Sequence, residues 1–302
     1  MKRSLFYRSL SGGMSRHYKR VSAGEDAGFT IVETMIVLLV TSALFASAAA
    51  LINGRQNATY FSQSIRDVQT QMQRVISDVG SGYYPNDGSI KCETGGPGGG
   101  VSLTSGVAEQ GTNKGCIFLG KIMQFGVTPS TDPEVFNEYT VVGLSGAGSV
   151  AGRNLAEAKA RVVARAAGEP ASVPNDSFEQ RKLLYGLTVS KMYYDGVATN
   201  NIRAFGFSSR LNSLADDDPS QQLDLVAIPS NPAPVDTANG VRQINGSLIN
   251  AAGFPAAVVN PSKGIQICFN SGSTDQSGLI TLGGSNRQGS VQLKIYEGRN
   301  CV

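Results

Sequence analysis

The chain has 302 residues, of which 41% are apolar and only 16% charged, with 36 glycines, four cysteines, no tryptophan and one histidine, His17. That length has room for more than one unit of ordinary domain size. If the basic N-terminal stretch holding His17 is removed, the working protein has no histidine, which excludes a Ser-His-Asp triad, a Cys-His pair, a His-ligated zinc site and a histidine general base. No paired-carboxylate motif, nucleophile elbow or metal constellation stands out either, so the expectation is a protein that is not an enzyme, with no cofactor and no metal.

The net charge of +3 is unevenly placed. Residues 1–28 hold Lys2, Arg3, Arg8, Arg16, Lys19 and Arg20 against Glu25 and Asp26, a balance of +4. The other 274 residues keep 20 of the 26 basic and 21 of the 23 acidic side chains, a balance of −1. Strong nucleic-acid binding rests on phosphate contacts, so that balance makes a nucleic-acid partner unlikely for the bulk of the chain, though possible.

Residues 29–52, FTIVETMIVLLVTSALFASAAALI, are 24 residues with one charge, Glu33. About 20 residues at 1.5 Å each span a bilayer core, so the run is long enough to cross. The basic leader predicts a cytoplasmic N-terminus and an exported C-terminus. A plain anchor is one reading. A secretory signal is another, with Ala46-Ser47-Ala48 as a small-x-small cleavage site. Neither accounts for Glu33, because a charge inside such a run costs about 2.5–3.5 kcal/mol on insertion scales and is usually functional.

The residues around the junction sharpen the reading. Ala27-Gly28-Phe29-Thr30-Ile31-Val32-Glu33 sets a Gly-Phe step at the start of the run and a glutamate four residues later. This arrangement resembles the type IV prepilin (class III) signal. The resemblance implies cleavage after Gly28 by a membrane prepilin peptidase and methylation of the new N-terminus at Phe29. It further implies an assembly role for Glu33, which would pair with the Phe29 amine of an adjacent subunit. An uncompensated carboxylate in an apolar bundle is costly, so such a pair would fix the register between subunits. Glu33 read as a snorkelling residue near the membrane face is the alternative.

No proline occurs between Phe29 and Tyr84. Ala58, Phe61, Ile65, Val68, Met72, Val75 and Val79 follow one another at spacings of 3, 4, 3, 4, 3 and 4, a single helical stripe. One helix from residue 30 to 79 is predicted, about 75 Å long at 1.5 Å per residue. Its apolar half covers 29–52 and its amphipathic half 53–80, the latter lying on a globular head. A two-stranded coiled coil fits less well, with only three heptads available.

Beyond Gly80 the chain reads as an extracytoplasmic β-rich head, 81–302. Tyr83–Gly88 is a turn, and residues 92–100 are glycine-rich. No Gly-Lys-[Ser/Thr] follows them, so a phosphate loop is a poorer reading than a plain loop. Strands are predicted at Cys116–Leu119, Ile122–Val127 and Tyr139–Val142. Residues 153–167 read as a helix ended by Gly168 and Pro170, with Lys159, Arg161 and Arg165 on a solvated face or, less simply, in a DNA-contacting patch. More strands are predicted at Leu184–Tyr194, Ala204–Phe207 and Leu223–Ile228. Asp216-Asp217-Asp218-Pro219 is a turn that lacks the Asp spacing of a calcium loop, and residues 229–240 are a loop or linker. Ile265–Phe269, Gly278–Leu282 and Val291–Tyr296 alternate and are separated by turn residues, which predicts a closing antiparallel meander.

Cys92, Cys116, Cys268 and Cys301 allow three pairings. The nearest-neighbour set, Cys92 with Cys116 and Cys268 with Cys301, would each stabilise by about 3–4 kcal/mol in the chain-entropy model; free buried thiols are the alternative. No Cys-x-x-Cys occurs, so redox and zinc-ribbon roles are poor readings.

The fold class expected is therefore α+β, a long N-terminal helix packed on a β-rich, mostly antiparallel head. The resemblance implies a minor or specialised pilin, a cell-surface filament subunit delivered through the cytoplasmic membrane by a single pass. Its partners would be other pilin subunits, the prepilin peptidase and membrane lipid before assembly. A type II secretion pseudopilin, or a pilus-associated adhesin or DNA-uptake pilin, are the rival functions.

Overall fold

A stretch free of proline and carrying one apolar stripe can form an uninterrupted helix. In the computed structural model it does: α1 spans Ile31–Ser81, 51 residues. The structure describes residues 30–82, 90–94, 101–106, 116–126, 133–144, 155–165, 169, 178–209, 223–229, 237–249, 257–260, 262–272, 274–284, 287, 289–299 and 301. Contacts divide the chain into two units, Met1–Ile52 and Asn53–Val302, and α1 contributes residues to each.

The second unit is β-rich, and every described strand pairing in it is antiparallel. β1 (Ile90–Thr94) pairs with β2 (Val101–Ser105). A seven-stranded sheet is built around β3 (Cys116–Phe125) and β4 (Val135–Leu144). β5 (Arg161–Val162) and β6 (Phe178–Lys182) share the outer edge of β4. On the other side of β3 lie β8 (Ile202–Ser209), β9 (Leu223–Pro229) and β10 (Ala257–Val258), in that order. A four-stranded sheet has β7 (Leu187–Tyr194), β11 (Ile265–Ser271), β12 (Gln276–Leu282) and β13 (Val291–Glu297) in the order β13-β12-β11-β7. Its last three strands are the meander expected from their alternation.

The stripe on α1 explains how the two larger sheets come together. Phe61, Ile65, Val68, Met72, Val75 and Val79 are all buried, while Ala58 at the start of the stripe is half-buried. They share one core with Phe125, Phe136, Phe205 and Phe207 of the seven-stranded sheet and with Ile267, Phe269, Ile280 and Leu282 of the four-stranded sheet. Helix and strand approach closely at Gly278, where a Cβ would stand 2.1 Å from Ile65 Cδ1. The opposite face of the seven-stranded sheet forms a second core, in which Ile122, Tyr139 and Ala204 meet Val241, Ile244 and Leu248 of α2 (Thr237–Leu248).

Several expectations need correction. The described part of 153–167 is not a helix: residues 155–160 are turns, and Arg161–Val162 form β5. Ala158, Ala160, Val162, Val163 and Ala164 are all buried, and a surface helix cannot bury so many consecutive side chains. Lys159 takes a left-handed backbone, φ 52°, within that segment. Arg161 lies on neither a solvated face nor a DNA patch. It is buried, with Nη1 donating to Val101 O at 3.0 Å and Nη2 to Ala164 O at 3.2 Å and to Glu169 Oε2 at 2.9 Å. The two strands expected in 116–127 are one, β3, with a register shift between Phe118 and Gly120. Cys92–Thr94 belong to a strand instead of a loop, Leu184–Gly186 form a 3-10 turn ahead of β7, and residues 237–240 open α2. The turn at 83–88, the glycines of 95–100, the acidic loop at 216–218 and residues 230–236 lie outside the described residues.

Two buried polar groups tie the layers together. Lys121 of β3 donates to Asp78 Oδ2 of α1 at 2.8 Å and to Glu138 Oε1 of β4 at 2.6 Å. Burial opposes its charge, but the hydrogen bonds to Asp78 and Glu138 prevail and raise its pKa above 10.5. The Tyr139 hydroxyl donates to Gln124 Oε1 at 2.8 Å and accepts from Asn137 Nδ2 at 3.1 Å; burial pushes its pKa up to about 12. Both pKa values are raised by folding. Each therefore contributes stability that is fully present below the unfolded-chain value and is lost as pH climbs through the folded one. Urea midpoints should hold until about pH 10 and fall between about pH 10 and 12, with Tyr139 phenolate absorbance appearing only on unfolding. Phenolate from Tyr139 in a still-folded chain at pH 10 would contradict this.

Candidate assembly site

The functional residue that the structure describes best is Glu33. Thr30 caps the helix: Glu33 N–H donates to Thr30 Oγ1 at 3.2 Å and to Thr30 O at 3.0 Å, and Thr34 N–H donates to Thr30 O at 3.2 Å. A Thr followed three residues later by Glu is the capping-box spacing, and it sets Glu33 in the first turn of α1. An acidic group there also faces the positive end of the helix dipole. The capping threonine, read in the sequence only as part of the junction, is what fixes Glu33 at this position.

Past Glu33 the helix offers almost nothing but hydrocarbon. Residues 30–52 are exposed throughout apart from half-buried Ala49, including Ile31, Met35, Leu39, Leu44 and Phe45. The hydroxyls in this stretch are satisfied from within. Thr34 donates to Ile31 O at 2.8 Å, Thr41 to Val37 O at 2.8 Å, Ser42 to Leu38 O at 2.6 Å and Ser47 to Ala43 O at 2.8 Å. Such back-bonded hydroxyls present little unmet polarity to an apolar neighbour. The Glu33 carboxylate differs: among the described residues it has no hydrogen-bond or ion-pair partner. Among the described residues one helix, Ile31–Ser81, is long and apolar enough to cross a membrane.

Of the other expected site residues, Gly28 and Phe29 lie outside the described residues. The four cysteines form two disulfides, Cys92–Cys116 with Cα atoms 5.1 Å apart and Cys268–Cys301 with Cα atoms 5.8 Å apart. The first joins β1 to the start of β3, and the second fastens the end of the chain to β11. Among the described residues no three His, Cys, Asp or Glu side chains group as a metal site. A shallow depression of about 470 Å³ on α1, lined by Ala58, Thr59, Ser62, Gln63 and Arg66, brings together no pair of groups suited to acid-base work. No family model, curated protein or solved structure matches the chain.

Proposed function

We propose that this chain is a structural subunit, minor or specialised, of a type IV pilus or a related filament, assembled out of the membrane through its N-terminal helix. The observation that carries the reading is the chemistry of residues 30–52: an exposed apolar helix whose hydroxyls are met internally and whose one unmet polar group is Glu33 in the first turn. In lipid the apolar surface is satisfied. Outside lipid it must be covered, and the same surface on neighbouring copies provides the cover. Cleavage after Gly28 would leave a cationic amine at Phe29, four residues before Glu33. Packing sister helices with one amine against a neighbour's carboxylate neutralises both charges in an apolar setting and allows one axial register.

The β-rich unit supports a structural role in a different way. It is held by two disulfides, which persist outside the cytoplasm. The mature length of 274 residues is large for a bulk subunit of the family the junction resembles, which favours a minor or specialised position. A type II secretion pseudopilin would use the same helix chemistry.

The test is the mature N-terminus of the exported protein, read by mass spectrometry. The expected peptide begins at N-methylated Phe29. A start at residue 1, at residue 2 or immediately after Ala48 would end the reading.

A further inference from the structure

Large apolar side chains are rarely left exposed together without a use. In the β-rich unit the exposed large apolar residues are Tyr60 at 40%, Leu184 at 49%, Tyr185 at 50%, Val197 at 42% and Ile295 at 37%. Three of these five belong to one cluster. The Tyr60 ring of α1 stacks on the Tyr185 ring, with centroids 4.7 Å apart and planes 12° apart. The Ser64 hydroxyl, one turn further along the helix, donates to Leu184 O at 2.8 Å.

The backbone bears a cost to present this cluster. Tyr185 has φ 54° and ψ 36°, the left-handed region that an aromatic residue rarely enters. The following Gly186 is also left-handed, at φ 68°. The turn is pinned around them: Leu183 N–H donates to Glu134 O at 2.6 Å, and Gly272 N–H donates to Gly186 O at 3.1 Å. A glycine at 185 would hold the same turn without the steric penalty, so strain is being kept for the sake of a half-exposed ring.

The structure offers one surface of matching chemistry that lacks a cover, residues 31–52. We infer that the Tyr60–Leu184–Tyr185 cluster is a seat for the apolar half-helix, residues 31–52, of a second copy of this chain in the assembled filament. This rests on the function proposed above and deepens it. The register agrees. Pairing Glu33 of one copy with the Phe29 amine of the next offsets parallel helices by four residues. Two such steps make eight residues, the separation between Ile52 and Tyr60. The tyrosines suit the task because each has an apolar ring for a neighbouring helix and a hydroxyl that can stay wet at the rim.

The test uses the full-length chain in cells that make the filament. A benzophenone amino acid replaces Tyr185, and a second wild-type copy carries a different tag. Irradiation should join position 185 of one copy to a peptide from residues 31–52 of the other. In filaments that contain the chain with its N-terminus at Phe29, adducts only to lipid, to another protein or to other parts of this chain, or no adduct, would overturn the inference and leave the proposed function standing. Absence of the chain from filaments, with no start at Phe29, would overturn both. A variant pair separates assembly from folding. Tyr185→Gly should keep or raise the urea midpoint, since it relieves the left-handed strain, yet lower the assembled share at least about tenfold, the scale of losing an aromatic anchor. Tyr185→Phe should assemble normally. Unchanged assembly of Tyr185→Gly would contradict the inference.

Discussion

Lys121→Met is expected to cost the β-rich unit about 3–5 kcal/mol, the range measured when one partner of a buried ion pair is removed. The lysine side chain is 8% exposed, and the carboxylates it serves, Asp78 and Glu138, are 17% and 11% exposed. Without Nζ the two acids face each other across α1 and β4 with no cation between them. Arg74, 4.0 Å from Asp78 and largely in solvent, relieves only a small part of this. Methionine keeps most of the lysine's length and volume, so lost packing contributes little. Urea unfolding of the wild type and the variant gives the loss directly. A triple variant, Lys121→Met with Asp78→Asn and Glu138→Gln, should recover much of it, because the orphaned charges are gone. A triple variant as unstable as the single one would mean that packing, not charge, sets the cost.

Glu33→Leu is expected to remove the chain from sheared surface filaments by at least about tenfold while leaving its amount in the membrane fraction unchanged, as loss of a register-setting charge pair would. The substitution makes the run uniformly apolar, so residence in lipid should improve by about 2.5–3.5 kcal/mol at the position of the lost charge. Helix formation should survive, since Thr30 accepts from the backbone N–H of residue 33 and does not need its side chain. Quantitative immunoblots of filament and membrane fractions check the prediction. Equal incorporation of wild-type and variant subunits would show that the carboxylate has no part in assembly.

Much of this was legible in the chain because some patterns admit one solution. Seven apolar residues at helical spacing, with no proline nearby, fixed α1, and alternation flanked by Gly, Ser and Asn fixed β11, β12 and β13. Residues 155–165 were misread because Ala, Glu, Lys and Arg favour helix locally. Tertiary demand overrode that preference: the edge of β4 needed pairing, and the Val101 and Ala164 carbonyls and Glu169 needed Arg161. α2 was missed for the opposite reason. Its sequence TANGVRQINGSL is poor in helix formers, and only Val241, Ile244 and Leu248 mark the face that reaches the core. Asn245 adds a contact that no periodicity shows, its Oδ1 accepting from Val162 N–H at 2.9 Å. Lys121 had one visible signal, a lone charge between Leu119 and Met123 in an otherwise apolar strand. Its partners are 43 and 17 residues away, a distance that local reading does not bridge. At the assembly site Glu33 stood out as the one charge in its run, whereas the capping role of Thr30 emerged from geometry.

The central claim is that this helix leaves lipid to pack among copies of its own kind. Proteomic mass spectrometry of purified surface filaments tests it most directly. The account predicts peptides of this chain in the filaments, beginning at methylated Phe29 and carrying the Cys92–Cys116 and Cys268–Cys301 links. Filaments devoid of it, with the intact chain beginning at Met1 confined to the membrane, would contradict the account.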